Sequence, residues 1–161
     1  MKEKVHVGID PGRYGCIAII RKEADAIFID YSVTHLSDLR DLMFDYEIVL
    51  AVIERPFSMP HQSTKSAMVQ GQLYGELLGA LKMARLPFLD IRPQEWQKGY
   101  GCPTDRKARK LNLIEIADNL GKNADIRAFG KFKGASGERF ERTSGRADAY
   151  LIGLYGISRG L

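Results

Sequence analysis

Apolar and polar residues alternate through Val5-His6-Val7-Gly8-Ile9-Asp10, the two-residue period of a β-strand. Val5, Val7 and Ile9 share one face; His6, Gly8 and Asp10 share the other. Pro11-Gly12 then turns the chain. Residues 15–20 and 26–31 read as two more strands joined by tight turns, which predicts an antiparallel meander. Residues 37–46 place Leu39, Leu42, Met43 and Tyr46 at helical spacing, with Ser37 as N-cap. The nearly continuous apolar run over 48–54 predicts a strand buried on both faces, ending in Glu54. A loop with two prolines covers 55–62. Helical spacing returns over 63–85, with Met68, Leu73, Leu77, Leu78 and Leu81. A strand over 87–91 and a short helical turn over 93–98 follow. An amphipathic helix over 105–120 turns Leu111, Ile114, Ala117 and Leu120 inward. Residues 121–143 are glycine-rich and basic and read as a mobile segment. The last helix is expected over 145–158. This order predicts an α/β domain spanning 1–161, a mixed sheet flanked by helices.

The helix over 63–85 carries Gly71, Gly75 and Gly79 at four-residue spacing. Each costs a helix roughly 1 kcal/mol relative to alanine. Close backbone packing along that stripe would offset the cost, with the sheet or a second subunit as the partner.

Composition narrows the class. The chain has 161 residues, 45% hydrophobic and 27% charged, which fits a globular fold with a core that needs no staples. No apolar run reaches the length of a membrane span. Met1-Lys2-Glu3-Lys4 leads straight into a strand without the apolar region of a signal peptide. Cys16 and Cys102 have no metal-ligand spacing and fit a reduced, cytoplasmic setting. The formal net charge is +4. Between Gly121 and Arg146 stand Lys122, Arg127, Lys131, Lys133, Arg139, Arg142 and Arg146 against Asp125, Glu138 and Glu141, an excess equal to the whole net charge. Such a segment is either a solvated loop or a phosphate-contacting surface.

Three carboxylates invite chemistry. Asp10 ends one strand, Glu54 ends a buried one, and Asp148 sits between Ala147 and Ala149 near the start of the last helix. Each has an ordinary reading: Asp10 as a turn opener, Glu54 as a partner of Arg55 or Arg92, Asp148 as a charge favoured by the helix dipole. If the last helix packs across the first and fourth strands, the three converge. Clustered carboxylates raise one another's pKa and call for a cation. Hard oxygen donors suit Mg²⁺ or Mn²⁺. Two such ions can activate water and stabilise a departing 3′ oxygen in phosphodiester cleavage.

Four motifs in order carry a resemblance. Gly8-Ile9-Asp10-Pro11-Gly12 with Gly15 comes first, then Ile53-Glu54-Arg55-Pro56-Phe57 followed by Gly71-Gln72-Leu73-Tyr74-Gly75. Ile91-Arg92-Pro93-Gln94-Glu95-Trp96-Gln97-Lys98 and Arg146-Ala147-Asp148-Ala149 with Leu151-Ile152-Gly153 complete the set. Together they resemble the RuvC-type Holliday-junction resolvases of the RNase H-like superfamily, closest in wording to the short bacterial and phage-encoded branch. The resemblance runs nearly end to end. It implies an RNase H-like five-stranded mixed sheet, a homodimer, and metal-dependent paired nicking of four-way DNA junctions in a bacterial cell or phage-infected host. It implies Asp10, Glu54 and Asp148 as ligands of about two Mg²⁺ or Mn²⁺ ions per site. Phe57 falls where the family places an aromatic that enters the junction. Lys107, and with it Lys98, falls near basic residues that contact DNA close to the scissile phosphate, and Lys107 is expected to act in catalysis by offsetting developing phosphate charge. Lys65, Lys131, Lys133 and Arg146 join the candidate DNA contacts. Trp96 is expected in the core. Tyr74 and the glycine stripe are the candidates for the dimer interface.

One position departs from the pattern. The family has a further acid or a histidine about one helical turn before the last Asp, where this chain has Gly145 after Ser144. Glu141, Ser144 or water would then complete the second metal site, with Glu141 favoured. Two alternatives stay open on the sequence: a non-catalytic branched-DNA-binding module, and a related nuclease acting on flaps or RNA. An actin-like phosphotransferase, suggested by the first motif, needs two domains and more chain.

Overall fold

The structure, a computed structural model, describes residues 1–30, 35–57, 62–121 and 124–160. Tyr31, Lys122 and the middle of the proline loop, 58–61, lie outside the described residues. The elements are β1 (Glu3–Asp10), β2 (Cys16–Ile20), β3 (Ala26–Asp30), α1 (His35–Asp45), β4 (Tyr46–Glu54), α2 (Thr64–Met83), β5 (Phe88–Ile91), α3 (Pro93–Gln97), α4 (Arg106–Leu120) and α5 (Glu138–Ser158). They build the mixed sheet expected from the pattern, in the order β3-β2-β1-β4-β5. β1 and β2, and β2 and β3, run antiparallel; β4 lies parallel to both β1 and β5.

Alternation in β1 and β2 splits the core into two layers. Val5, Val7, Ile9, Ile17 and Ile19 pack with Leu39, Leu42, Leu77 and Leu81 from α1 and α2. Ala18, Ile20, Leu50 and Val52 face the opposite way, against Trp96, Leu113, Ile114, Tyr150 and Leu151 from α3, α4 and α5. Each isoleucine, leucine or valine fully buried in this way contributes roughly 1.5–3 kcal/mol.

A bulge sets the register that matters. Val5 pairs with Ile48, but His6 pairs with Leu50, so Val49 is the extra residue of β4. Downstream of it Ile9 stands beside Ile53, which brings the next residues, Asp10 and Glu54, level at the ends of adjacent strands. Without the bulge Asp10 would lie beside Ile53, and Glu54 would point to the other face of the sheet.

α5 crosses this face almost in contact with backbone. A Cβ on Gly8 would overlap the Ala149 carbonyl and lie 2.5 Å from the Gly153 nitrogen. A Cβ on Gly153 would meet Ile20 Cδ1 at 2.5 Å, and one on Gly156 would meet Val52 Cγ2 at 2.6 Å. The small residues of the last motif are therefore an approach surface, and the approach carries Asp148 to the end of β1.

Four expectations are corrected. α5 begins at Glu138, two turns before the expected start at 145. Gly145 had read as a boundary, yet it lies inside the helix and is glycine because a Cβ there would overlap the Tyr14 carbonyl oxygen. The basic segment before α5 is tethered rather than loose. Ile126 is fully buried, Phe132 packs edge-on to Phe140 at 5.3 Å, and Phe129 lies under the guanidinium groups of Arg146 and Arg142 at 4.5 and 5.9 Å. α1 starts at His35, so Ser37 is inside it rather than its N-cap. The inward face of α4 is Leu113, Ile114 and Ala117; Leu111 and Leu120 are exposed.

The glycine stripe of α2 does not pack on the sheet. A Cβ on Gly71, Gly75 or Gly79 would meet nothing within 4 Å among the described residues. Met68, Val69 and Met83 are exposed on the same helix. Both cysteines are free thiols.

Candidate active site

Asp10 reaches the site on a rigid strand and is held by the Gly12 backbone N–H of the turn that follows. Glu54 arrives beside it on β4, with Oε2 accepting a 2.6 Å hydrogen bond from the Trp96 indole N–H. Asp148 comes down from α5; its Oδ1 is buried without a hydrogen-bond partner among the described residues. Seven residues before it on the same helix, Glu141 takes a 2.5 Å ion pair from Lys110 of α4. A seven-residue step is nearly two full turns, so Glu141 and Asp148 share a face.

These groups act on one another. Burial, opposed by Lys110 and the Gly12 N–H and aided by Glu141, pushes the Asp10 carboxyl up to about 6. Burial and the charges of Asp10 and Glu141, offset by Lys110 and Arg109, push Asp148 up to about 8. Burial raises Glu54 well above the usual carboxylate range; Asp10 and Asp148 raise it further, and Trp96 pulls it back. The protein thus spends folding energy to hold acids where acids are disfavoured.

The donor set fits a hard divalent cation. It consists of carboxylate oxygens, one of them buried with no partner, in a region where positive charge would relieve the mutual repulsion. Among the described residues no trio of acidic, histidine or cysteine side chains already stands at metal-ligating spacing. The acids share a field rather than a finished ligand shell.

Of the residues predicted from sequence, Asp10, Asp148 and Glu141 lie within one another's electrostatic reach, and Glu54 within that of Asp10 and Asp148. Ser144 is buried, its Oγ without a partner among the described residues. Phe57 is 55% exposed, three residues beyond Glu54. Lys65, Lys98, Lys107, Lys131 and Lys133 are all exposed. Lys107 makes no ion pair with the acids among the described residues; Lys110, one turn on, does. Lys110 was missed because both lysines lie in one basic turn and only the packing of α4 on α5 separates them. Arg146, expected at the DNA surface, is turned inward. It donates to both Asp30 oxygens at 2.9 and 2.5 Å and to the Asp125 carbonyl at 2.6 Å. Tyr74 lies beside Arg55 and Asp90, which pair with each other, within the chain. Lys131 and Lys133 edge an open cavity of about 710 Å³ shared with Arg139, Arg142, Phe129 and Phe132.

The element order and the two-layer core give an α/β fold of the RNase H-like type. Within that class the fold is that of the RuvC-type resolvases. Thermus thermophilus RuvC in complex with a Holliday-junction substrate superposes with a TM-score of 0.59 at 12% identity, covering 96% of each chain. A second T. thermophilus RuvC structure gives 0.56 at 15% identity, covering 97% of this chain and 96% of that one. The fowlpox virus resolvase, solved with Holliday-junction DNA, gives 0.52 at 16% identity over 97% of this chain and 99% of that one. No family model and no curated protein sequence matches the chain. At these identities the likeness establishes the fold.

Proposed function

We propose that this protein is a metal-dependent, structure-selective DNA endonuclease that resolves four-way junctions by paired symmetric nicks, in recombination and repair or in phage DNA processing. The observation that carries the reading is the mutual electrostatic influence of Asp10, Asp148 and Glu141 beside Lys110, with Glu54 acted on by Asp10 and Asp148, on this fold. Those acids would hold magnesium or manganese. Bound there, such cations supply a water nucleophile at neutral pH and neutralise the departing 3′ oxygen. The chain's own residues do the rest. β1 and β4 fix two carboxylates side by side, and α5 fixes the other two along one face. Lys110 and Arg109 add positive charge that a phosphodiester needs beside so many carboxylates.

DNA would be held outside this centre. Phe57 stacks on a base at the junction, and Lys65, Lys98, Lys107, Lys131 and Lys133 meet phosphates, giving salt-dependent affinity. A homodimer supplies two sites for two strands. The open glycine stripe of α2 supports that assembly, since no described residue occupies it. The non-catalytic alternative rested on Gly145. That glycine has a steric reason, and Glu141 brings an acid from the same helix, which favours catalysis.

The test is incubation with a labelled synthetic four-way junction, a flap, an RNA hybrid and a linear duplex in Mg²⁺, with Asp10→Asn alongside. Paired nicks confined to the junction and lost in the variant are expected. Junction retarded but uncut in both Mg²⁺ and Mn²⁺ would leave a binding module, and preferential cutting of flap or RNA would move the substrate class.

A further inference from the structure

We propose that Trp96 is the positioning residue of Glu54: its indole N–H holds Oε2 and so leaves Oε1 as the oxygen that meets the cation. This rests on the metal-dependent reading of the site. Trp96 is only 1% exposed, and a buried indole N–H left unpaired is costly. Its partner is Glu54 Oε2 at 2.6 Å, 42 residues away in sequence. No protein group among the described residues donates to Oε1. The bond therefore does two things at once: it satisfies the tryptophan and it fixes which way the carboxylate turns.

The ring is itself held. It lies on α3, which starts at Pro93 and is boxed by a 2.7 Å hydrogen bond from the Arg92 backbone N–H to Glu95. Its neighbour Tyr100 packs edge-on, with centroids 6.3 Å apart, and reaches back to the Leu151 carbonyl on α5. α3 follows β5, which pairs with the end of β4 at Glu54–Ile91. The β5–α3 unit thus brings the indole beneath the carboxylate on rigid elements. Groups that orient a ligand in this way commonly change metal affinity or activity 10- to 100-fold when removed.

Trp96 is the single tryptophan of the chain, so its indole gives one resolved N–H resonance and an intrinsic reporter. The experiment is a Mg²⁺ titration followed in the ¹H–¹⁵N spectrum and by thermal shift, on wild type, Glu54→Gln and Trp96→Phe. The indole resonance should move saturably with Mg²⁺ in wild type, with the midpoint of the thermal shift, and stay still in Glu54→Gln. Trp96→Phe keeps an aromatic side chain, though a smaller one, and removes the donor; its Mg²⁺ midpoint should rise about tenfold or more, with junction binding in EDTA retained. An indole resonance unmoved by Mg²⁺ that raises the wild-type melting temperature would overturn the assignment, whether or not Trp96→Phe folds. So would a folded Trp96→Phe with the wild-type midpoint. A protein that shows the indole shift and nicks no junction would support the Trp96 role and overturn the resolvase reading instead.

Discussion

Replacing Asp148 by asparagine should stabilise the metal-free protein while ending catalysis, and the gain should depend on pH. The folded carboxyl titrates near 8 against 3.8 for its ordinary value. Its folded pKa is raised, so it contributes stability at low pH that is lost as pH rises from about 4 through about 8. In that window the native state holds a proton that the unfolded chain has released, and stability falls by up to ~1.4 kcal/mol per pH unit. Integrated from pH 6 to 8 with the titration midpoint at the upper end, the loss is roughly 2 kcal/mol. For a chain of this size that is roughly 4–8 °C in melting temperature. Asp10, raised to about 6, loses its contribution mostly below this window and does not mask it. Urea unfolding in EDTA at pH 6, 7 and 8 should show wild type declining more steeply than Asp148→Asn, whose remaining slope comes from Glu54, itself raised by burial. Mg²⁺ should restore wild type at pH 8, because a ligand of the native state alone stabilises it by mass action. Parallel pH profiles for the two proteins would refute the claim that Asp148 is held against its charge.

Glu141→Gln should lower junction cleavage at least tenfold and leave the junction dissociation constant within about twofold; equal nicking rates would remove Glu141 from the site. Gly145→Asp, which installs an acid where related chains are expected to have one, should lower the melting temperature by several degrees rather than improve metal binding, since its Cβ would overlap the Tyr14 carbonyl. An unchanged melting curve would contradict that packing. Gly75→Leu should raise helix propensity by roughly 1 kcal/mol and fill open space, yet halve the mass measured by light scattering. Wild-type mass would move the dimer interface away from α2.

The order of elements was legible because β1, β4 and α2 are long and regularly patterned. The three acids were legible because each ends an element or sits among small residues. The bulge at Val49 was not legible, since an apolar run looks alike with or without one extra residue, yet it decides whether Glu54 faces Asp10. The early start of α5 was hidden because Gly145 reads locally as a helix breaker, and its reason, the Tyr14 carbonyl, lies some 130 residues away. Lys110 could not be told from Lys107 without the crossing of α4 and α5. Arg146 looked like a free cation because Asp30 is 116 residues distant. What the pattern missed were contacts between elements, which local periodicity does not encode.

The central claim, that Asp10, Glu54, Asp148 and Glu141 form a divalent-metal centre, is tested most directly by calorimetric titration of Mn²⁺ into wild type, Asp10→Asn and Asp148→Asn at neutral pH. Saturable binding approaching two ions per chain, with proton release as the raised carboxyls ionise and marked weakening in both variants, is the predicted result. Mn²⁺ binding of equal strength in all three proteins, or none in wild type, would contradict the account.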